Sequence, residues 1–368
     1  MVDIPAFRFF MLTITSQSHD YTVETFDSLA QALDAAAAHH TGVYYLVDRA
    51  IQHHFGLMLS VINPEQIIFV EATEEEKLFD RLTPIFLDLL QRGIKRDGLL
   101  VVIGGGVLQD IGCFIASVLF RGLHWNLIPT TLLAQADSCI GSKSSINIGS
   151  YKNQIGTFFP PQRILLTSSV LTTLPWDEIR SGLGEVIKLQ LIKGQADFEA
   201  LMKDLSILTR ENQLELLSKW IRLSMTVKKP YIEADEYDRG IRNILNYGHT
   251  FGHAYESATH YAIPHGIAVL LGMLTATYLS ARLNLIPMAQ YSSLKAQLSP
   301  WHSPYGAELL QADRETIFQA IKHDKKNMGN AVHCILTRGP GRMEKIQVDY
   351  ERDLKPAIGD FISRELTA

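Results

Sequence analysis

The chain has 368 residues, 46% of them hydrophobic and 20% charged, which excludes a disordered chain and is enough for two domains with sizeable cores. Net charge is −5 at pH 7 with no basic run, so neither nucleic acid nor an anionic membrane is an expected partner. An anionic substrate must therefore be met by local Lys and Arg rather than by an overall positive field.

Met1 to Ser16 lacks a charged stretch followed by an apolar one, so no signal peptide is expected. Cys113, Cys139 and Cys334 are scattered, odd in number and without CxxC spacing. That pattern fits a reducing compartment, and the expected location is the cytoplasm. Val43 to Val47 reads as a strand ending at Asp48, and Ile67 to Val70 as another, followed by the acidic turn Glu74 to Lys77. Leu99 to Ile103 is a continuous apolar run, suited to a strand buried on both faces. Gly104-Gly105-Gly106 breaks it, and Val107 to Leu119 has helical periodicity. Trp125 to Ile128 and Ile164 to Leu166 are further strands. Strands alternating with helices predict a mostly parallel, Rossmann-like α/β domain.

After Pro175 the texture changes. Glu178 to Leu191, Gln213 to Lys229, Ile244 to Ser257, His265 to Leu283 and Arg314 to His323 read as helices. Ser299 to Pro304 reads as a loop and His333 to Thr337 as a strand. Ile267 to Ala281 is apolar but too short to span a membrane, which predicts a buried core helix. The boundary falls in Ser168 to Leu174, dividing the chain into 1–170, an α/β domain, and 171–368, mainly helical.

Several stretches carry chemistry. His249 and His253 are four apart on one helix face, and His265 follows after a break at Ile263-Pro264. Neutral imidazole is the commonest protein ligand for a zinc-class ion, although a single His is as readily a cap or a core residue. Thr250 stands where a His-Glu-x-x-His protease would have Glu, so this metal site is not of that kind. Glu185 and Lys188 share a face among apolar neighbours. On the surface such a pair contributes only a few tenths of a kcal/mol, roughly, whereas a buried carboxylate needs a further partner, which a metal supplies. Two His and one Glu with an open position form a catalytic zinc set.

Gly104 to Asp110 follows a strand and opens a helix, where a phosphate can approach the backbone, although a ligand-free tight turn reads the same. Asp48 at a strand end could hold a ribose hydroxyl or simply cap a helix. Thr130 to Lys143, Ile146-Asn147 and Tyr151 to Asn153 mix hydroxyls, an Asp and two Lys, as an anion site or as a solvated loop. Lys228, Lys229 and Arg242 flank Asp235-Glu236, with which they could pair.

In their joint order these motifs resemble 3-dehydroquinate synthase and the related sugar phosphate cyclases. The carriers are Gly104 to Asp110, Phe120 to Gly122, Pro129 to Ser138, Lys143, Tyr151 to Gly156, Gly184 to Lys188 and Leu245 to His253, within Asp48 to Lys326. The resemblance implies an N-terminal Rossmann-like domain, a C-terminal helical domain, an active site between them and a homodimer. It implies NAD and one divalent metal, Zn or Co, with Glu185, His249 and His265 as ligands. NAD would meet Asp48, Glu74, Lys77, Gly105, Gly106, Val107, Asp110, Thr130, Thr131, Asp137, Lys152, Thr173, Leu174 and Glu178. A substrate phosphate would meet Lys143, Asn153, Asn246, His253 and one of Lys325 or Lys326, with Arg121 reaching it from the partner subunit. Lys188, Lys228 and Arg242 would hold hydroxyls and a carboxylate.

The implied reaction is oxidation of a sugar phosphate alcohol by NAD⁺, loss of phosphate, re-reduction by the same cofactor, and ring opening with aldol closure to a carbocycle. The implied activity is that of 3-dehydroquinate synthase in the shikimate pathway, because Arg242 and Lys228 suit a carboxylate-bearing substrate. A valiolone, inosose or amino-dehydroquinate synthase of secondary metabolism is the same-class alternative, and a metal-dependent polyol dehydrogenase the different one. The chain departs from the family pattern at Ser142, where relatives carry Gly, and at Ile267, where they carry Glu, and Thr157 to Pro161 resembles the secondary-metabolism enzymes. These departures bear on the substrate rather than on the chemistry.

Overall fold

The computed structural model describes residues 10–149, 151–322 and 331–366. They group into two compact units. One runs to Leu174 and takes in Leu217–Met225, and the other comprises Pro175–Leu216 and Thr226 onward.

The first unit holds β1 (Met11–Ile14), β2 (Tyr21–Thr25), α1 (Leu29–Ala37), β3 (Val43–Asp48), α2 (Arg49–Leu59), β4 (Ile67–Val70) and α3 (Phe79–Gln91). It continues with β5 (Leu99–Gly104), α4 (Gly106–Val118), β6 (His124–Pro129), the hairpin β7 (Ile146–Ile148) and β8 (Tyr151–Ile155), and β9 (Arg163–Leu166). Seven strands form one sheet in the order β1-β2-β9-β6-β5-β3-β4. Only β1 and β2 pair antiparallel, and the other pairs are parallel. All six residues of β5 are buried, the outcome its unbroken apolar run predicts for a central strand. The chain runs outward from β3 to β4, then returns to the other side of β3 as β5. The carboxyl ends of β3 and β5, at Asp48 and Gly104, therefore flank a topological switch point, the usual place for a ligand in an open parallel sheet.

The second unit contains α5 (Trp176–Lys193), α6 (Gln195–Leu205), the ends of α7 (Gln213–Ala234), α8 (His249–Ala258), α9 (His265–Arg282) and α10 (Met288–His302). α11 (Gly306–Gln311), α12 (Arg314–Lys322), the antiparallel pair β10 (Ala331–Thr337) and β11 (Met343–Asp349), and α13 (Lys355–Asp360) complete it. Every residue of α9 from Gly266 to Ala281 is buried, as its all-round apolar sequence requires. Among the described residues no helix is long and apolar enough to cross a membrane.

Two expectations are corrected. Ile244 to Ser257 is not one helix: a 3₁₀ segment, Ile241–Asn246, stops before Gly248, whose φ of +86° ends it and starts α8 at His249. Ser299 to Pro304 is not simply a loop, because α10 continues through Pro300 to His302. Leu298 and His302 are both buried, and that packing holds the last turn despite the missing donor of Pro300.

Candidate active site

Glu185 lies in the middle of α5 and is 1% exposed. Lys188, one turn on and 2% exposed, sets its ammonium against Glu185 Oε2. His249 opens α8, His253 lies one turn later, and His265 opens α9. Glu185 Oε1 stands 3.6 Å from His249 Nε2 and 3.3 Å from His265 Nε2. One ligand atom from each of His249, His253 and His265 lies within 4.8 Å of the other two. His253 is the exposed member of the three.

Glycines explain the convergence. A Cβ on Gly266 would stand 1.7 Å from the carbonyl oxygen of Ser181, and one on Gly184 would stand 2.1 Å from that of Gly266. α5 and α9 therefore touch backbone to backbone, beside Glu185 and His265. A Cβ on Gly272 would stand 2.0 Å from the carbonyl oxygen of Gly248, which brings α8 equally close to α9 beside His249. The sequence places each of these three side chains next to a glycine at a helix contact.

The electrostatics favour a cation there. Burial opposes charge on His265, yet hydrogen bonds and charge from Glu185 and Glu256 outweigh it and push its pKa up to about 10. Glu256 Oε1 sits 3.1 Å from His265 Nδ1. A buried carboxylate, imidazole nitrogens facing one point and an acid behind one imidazole fit a zinc-class ion. Glu256 had no role in the sequence reading. Its signal is only that it falls one turn after His253 on α8.

Arg242 is 4% and Lys228 7% exposed. The Arg242 guanidinium donates to the Glu236 carbonyl oxygen. Asp235 accepts backbone N–H groups of Arg239, Gly240 and Arg242, so this acid shapes the turn that presents Arg242. Asn246 ends the 3₁₀ segment before Gly248.

In the first unit, Asp48 ends β3 and accepts the Ala50 N–H at 2.9 Å, so it caps α2. Gly105 caps α4, and a Cβ there would stand 2.7 Å from Thr131 Cγ2. Gly106 and Val107 begin the helix, Thr130 follows β6 and is 2% exposed, and Asp137 lies in a π-helical turn, Ala134–Ser138. Lys77, 6% exposed, meets Asp110 Oδ2 at 2.9 Å and Glu74 Oε1 at 3.6 Å, and Lys152 stands 3.9 Å from Glu74. Burial raises the pKa of Asp110 to about 6, against the opposing pull of Lys77. Lys143 bridges to Phe158 across the base of the β7–β8 hairpin, its ammonium 5.9 Å from the ring centre. Asn153 lies in that hairpin at φ +53°, and Arg121 follows Phe120 in a left-handed turn at φ +65°. Thr173 closes a 3₁₀ turn, Leu174 caps it, and Glu178 lies in the first turn of α5. Lys325 and Lys326 lie outside the described residues.

Two family models match the chain. The model described as 3-dehydroquinate synthase N-terminal covers residues 67–181, and 3-dehydroquinate synthase C-terminal covers 182–327. The chain belongs to the 3-dehydroquinate synthase family. One relative is the 3-dehydroquinate synthase of Dictyoglomus thermophilum, 41% identical over 300 residues, which are 81% of this chain and 83% of that protein. The fold is that of the family and its cyclase relatives. A 2-deoxy-scyllo-inosose synthase complexed with carbaglucose-6-phosphate, NAD⁺ and Co²⁺ superposes with a TM-score of 0.83 at 24% identity, over 96% of this chain and 99% of that one. The 2-epi-5-epi-valiolone synthase from Streptomyces hygroscopicus subsp. jinggangensis 5008, with NAD⁺ and Zn²⁺ bound, gives 0.83 at 22% identity, over 95% and 99%. At those identities the likeness is one of fold alone.

Proposed function

We propose that this member of the family is an NAD- and metal-dependent 3-dehydroquinate synthase that converts 3-deoxy-D-arabino-heptulosonate 7-phosphate to 3-dehydroquinate and phosphate. The observation that carries the reading is the approach of Glu185 Oε1 to both His249 Nε2 and His265 Nε2, at 3.6 and 3.3 Å. Glu185, His249 and His265 would hold the metal. When bound, the metal would supply Lewis acidity toward a substrate alcohol and NAD⁺ reversible hydride acceptance.

The chain's own residues bind, orient and compensate charge. Gly105, Gly106 and Val107, with Asp48 across the switch point, would receive the dinucleotide. Glu74, Lys77, Asp110, Thr130, Thr131, Asp137, Lys152, Thr173, Leu174 and Glu178 belong to the same proposed set. The Lys188 ammonium beside Glu185 offers donors to a substrate hydroxyl. Lys143, Asn153, Asn246, His253 and Lys326 would hold the phosphate, with Arg121 contributing from a partner subunit in a homodimer. Fixing the leaving group and compensating its charge is what such donors contribute to elimination.

Arg242 and Lys228 support the acid-bearing substrate. Arg offers a planar fork and Lys a compact charge to a carboxylate, a contact that an acid-bearing substrate can make and a neutral sugar cannot. Phosphate release with 3-deoxy-D-arabino-heptulosonate 7-phosphate should therefore exceed release with sedoheptulose 7-phosphate by at least about 100-fold in kcat/KM. Turnover of the neutral sugar alone would contradict this reading and favour a cyclase of secondary metabolism.

A further inference from the structure

Lys77 stands among the proposed cofactor contacts, yet its ammonium is turned into the protein. Its partners are Asp110 Oδ2 at 2.9 Å, Asn153 Oδ1 at 3.1 Å and Glu74 Oε1 at 3.6 Å. A lysine ammonium has three N–H donors and no acceptor. Asp110 and Asn153 are within hydrogen-bond distance, Glu74 is an ion-pair neighbour, and Lys77 is 6% exposed, so its ammonium is held inside the first unit.

The consequence falls on Asn153. An ammonium can face only the oxygen of an amide, so Asn153 is held with Oδ1 inward. Its Nδ2, with two N–H donors, is bonded to none of the described residues, and the residue is exposed. Asn153 also carries a left-handed backbone, φ +53°. Asn147, 3% exposed, clamps that backbone. Its Oδ1 accepts the Asn153 N–H at 2.9 Å, while its Nδ2 donates to Glu74 Oε1 at 2.9 Å and to the Glu74 carbonyl at 3.3 Å. Asp110 Oδ1 accepts the Ser145 N–H at 3.1 Å, fastening the segment that leads into the hairpin. Each donor in this network faces an acceptor, and what emerges from it is one outward pair of amide N–H groups.

We propose that Lys77 and Asn147 are positioning residues that orient the Asn153 amide toward an anionic substrate oxygen. The proposal rests on the reading of Asn153 as a phosphate contact. It gives a role to Asn147, which has none in the proposed function, and a second one to Lys77.

The test uses the full chain loaded with NAD⁺ and Zn²⁺, with inorganic phosphate as the probe in titration calorimetry. Asn153→Ala, Lys77→Met and Asn147→Ala should each raise the phosphate Kd roughly tenfold, the effect of one lost charge-assisted hydrogen bond. Lys77→Met combined with Asn153→Ala should be no weaker than Asn153→Ala alone, within about twofold, because the lysine acts through the amide. Multiplying losses in the double variant would overturn the proposal, as would a Lys77→Met variant that binds phosphate as tightly as wild type. If Asn153→Ala leaves phosphate binding unchanged, the underlying placement of phosphate at Asn153 is wrong and the proposal goes with it. Asn147→Ala carries no charge change, so it remains informative if Lys77→Met, which strands the Asp110 carboxyl, fails to fold. Unaltered phosphate binding in Asn147→Ala also overturns the proposal.

Discussion

Glu256 accepts from His265 Nδ1 while Nε2 of the same ring faces Glu185, so the two ring nitrogens have separate tasks. An acid behind a ligating imidazole fixes its tautomer and orientation. Glu256→Ala should weaken Zn²⁺ binding by roughly 10- to 100-fold in a chelator competition while leaving the helical circular dichroism signal unchanged. Unchanged metal affinity would remove Glu256 from the site. His302 makes a separate prediction, about stability. It is 7% exposed, and neither ring nitrogen has a hydrogen-bond partner among the described residues. Burial, aided by Lys295, lowers its pKa to about 4. The native state then stays neutral at His302 while the unfolded chain takes up a proton below pH 6.5. Stability is fully present above that pH and is lost as pH falls toward 4, by roughly 3 kcal/mol from this group. His302→Phe should flatten that part of the denaturation profile, and an unchanged slope between pH 6.5 and 4 would contradict the assignment. No role for His302 was visible in the sequence, where it reads as part of a loop.

At the scale of elements, glycine contacts set how closely α5, α8 and α9 approach. Gly266→Ala places a methyl 1.7 Å from the Ser181 carbonyl, and backbone cannot rotate away as a side chain would. The helices must part, at a cost of roughly 1–3 kcal/mol or more. The variant should melt earlier and also bind Zn²⁺ more weakly, since His265 moves with its helix. A variant with unchanged melting and metal affinity would mean that the contact does not hold the cluster. The sequence showed these helices well but not the break between two of them. Asn246-Tyr247-Gly248-His249 continues an apparently helical pattern, and only the contact of Gly248 with α9 reveals why a left-handed residue is required there. Strands showed the same divide. β5 was legible because six buried residues leave an unbroken apolar run. The β7–β8 hairpin was not, because β8 is half exposed along its length and its polar residues answer to partners far along the chain, such as Glu74 and Lys77.

For the whole molecule, the family was legible because many short motifs keep one order, although no single spacing identified it. Spacing alone left open which imidazoles accompany Glu185, and the structure gathers three of them. The metal is therefore the point at which the account is most exposed to test. Protein stripped by chelator should release no phosphate from 3-deoxy-D-arabino-heptulosonate 7-phosphate. Titration with Zn²⁺ or Co²⁺ should restore release, saturating at about one equivalent per chain and with no net absorbance change at 340 nm, because the hydride returns to the product. Glu185→Gln should not be restored. Full phosphate release from the stripped protein, or full restoration of Glu185→Gln by the same equivalent of metal, would contradict the account.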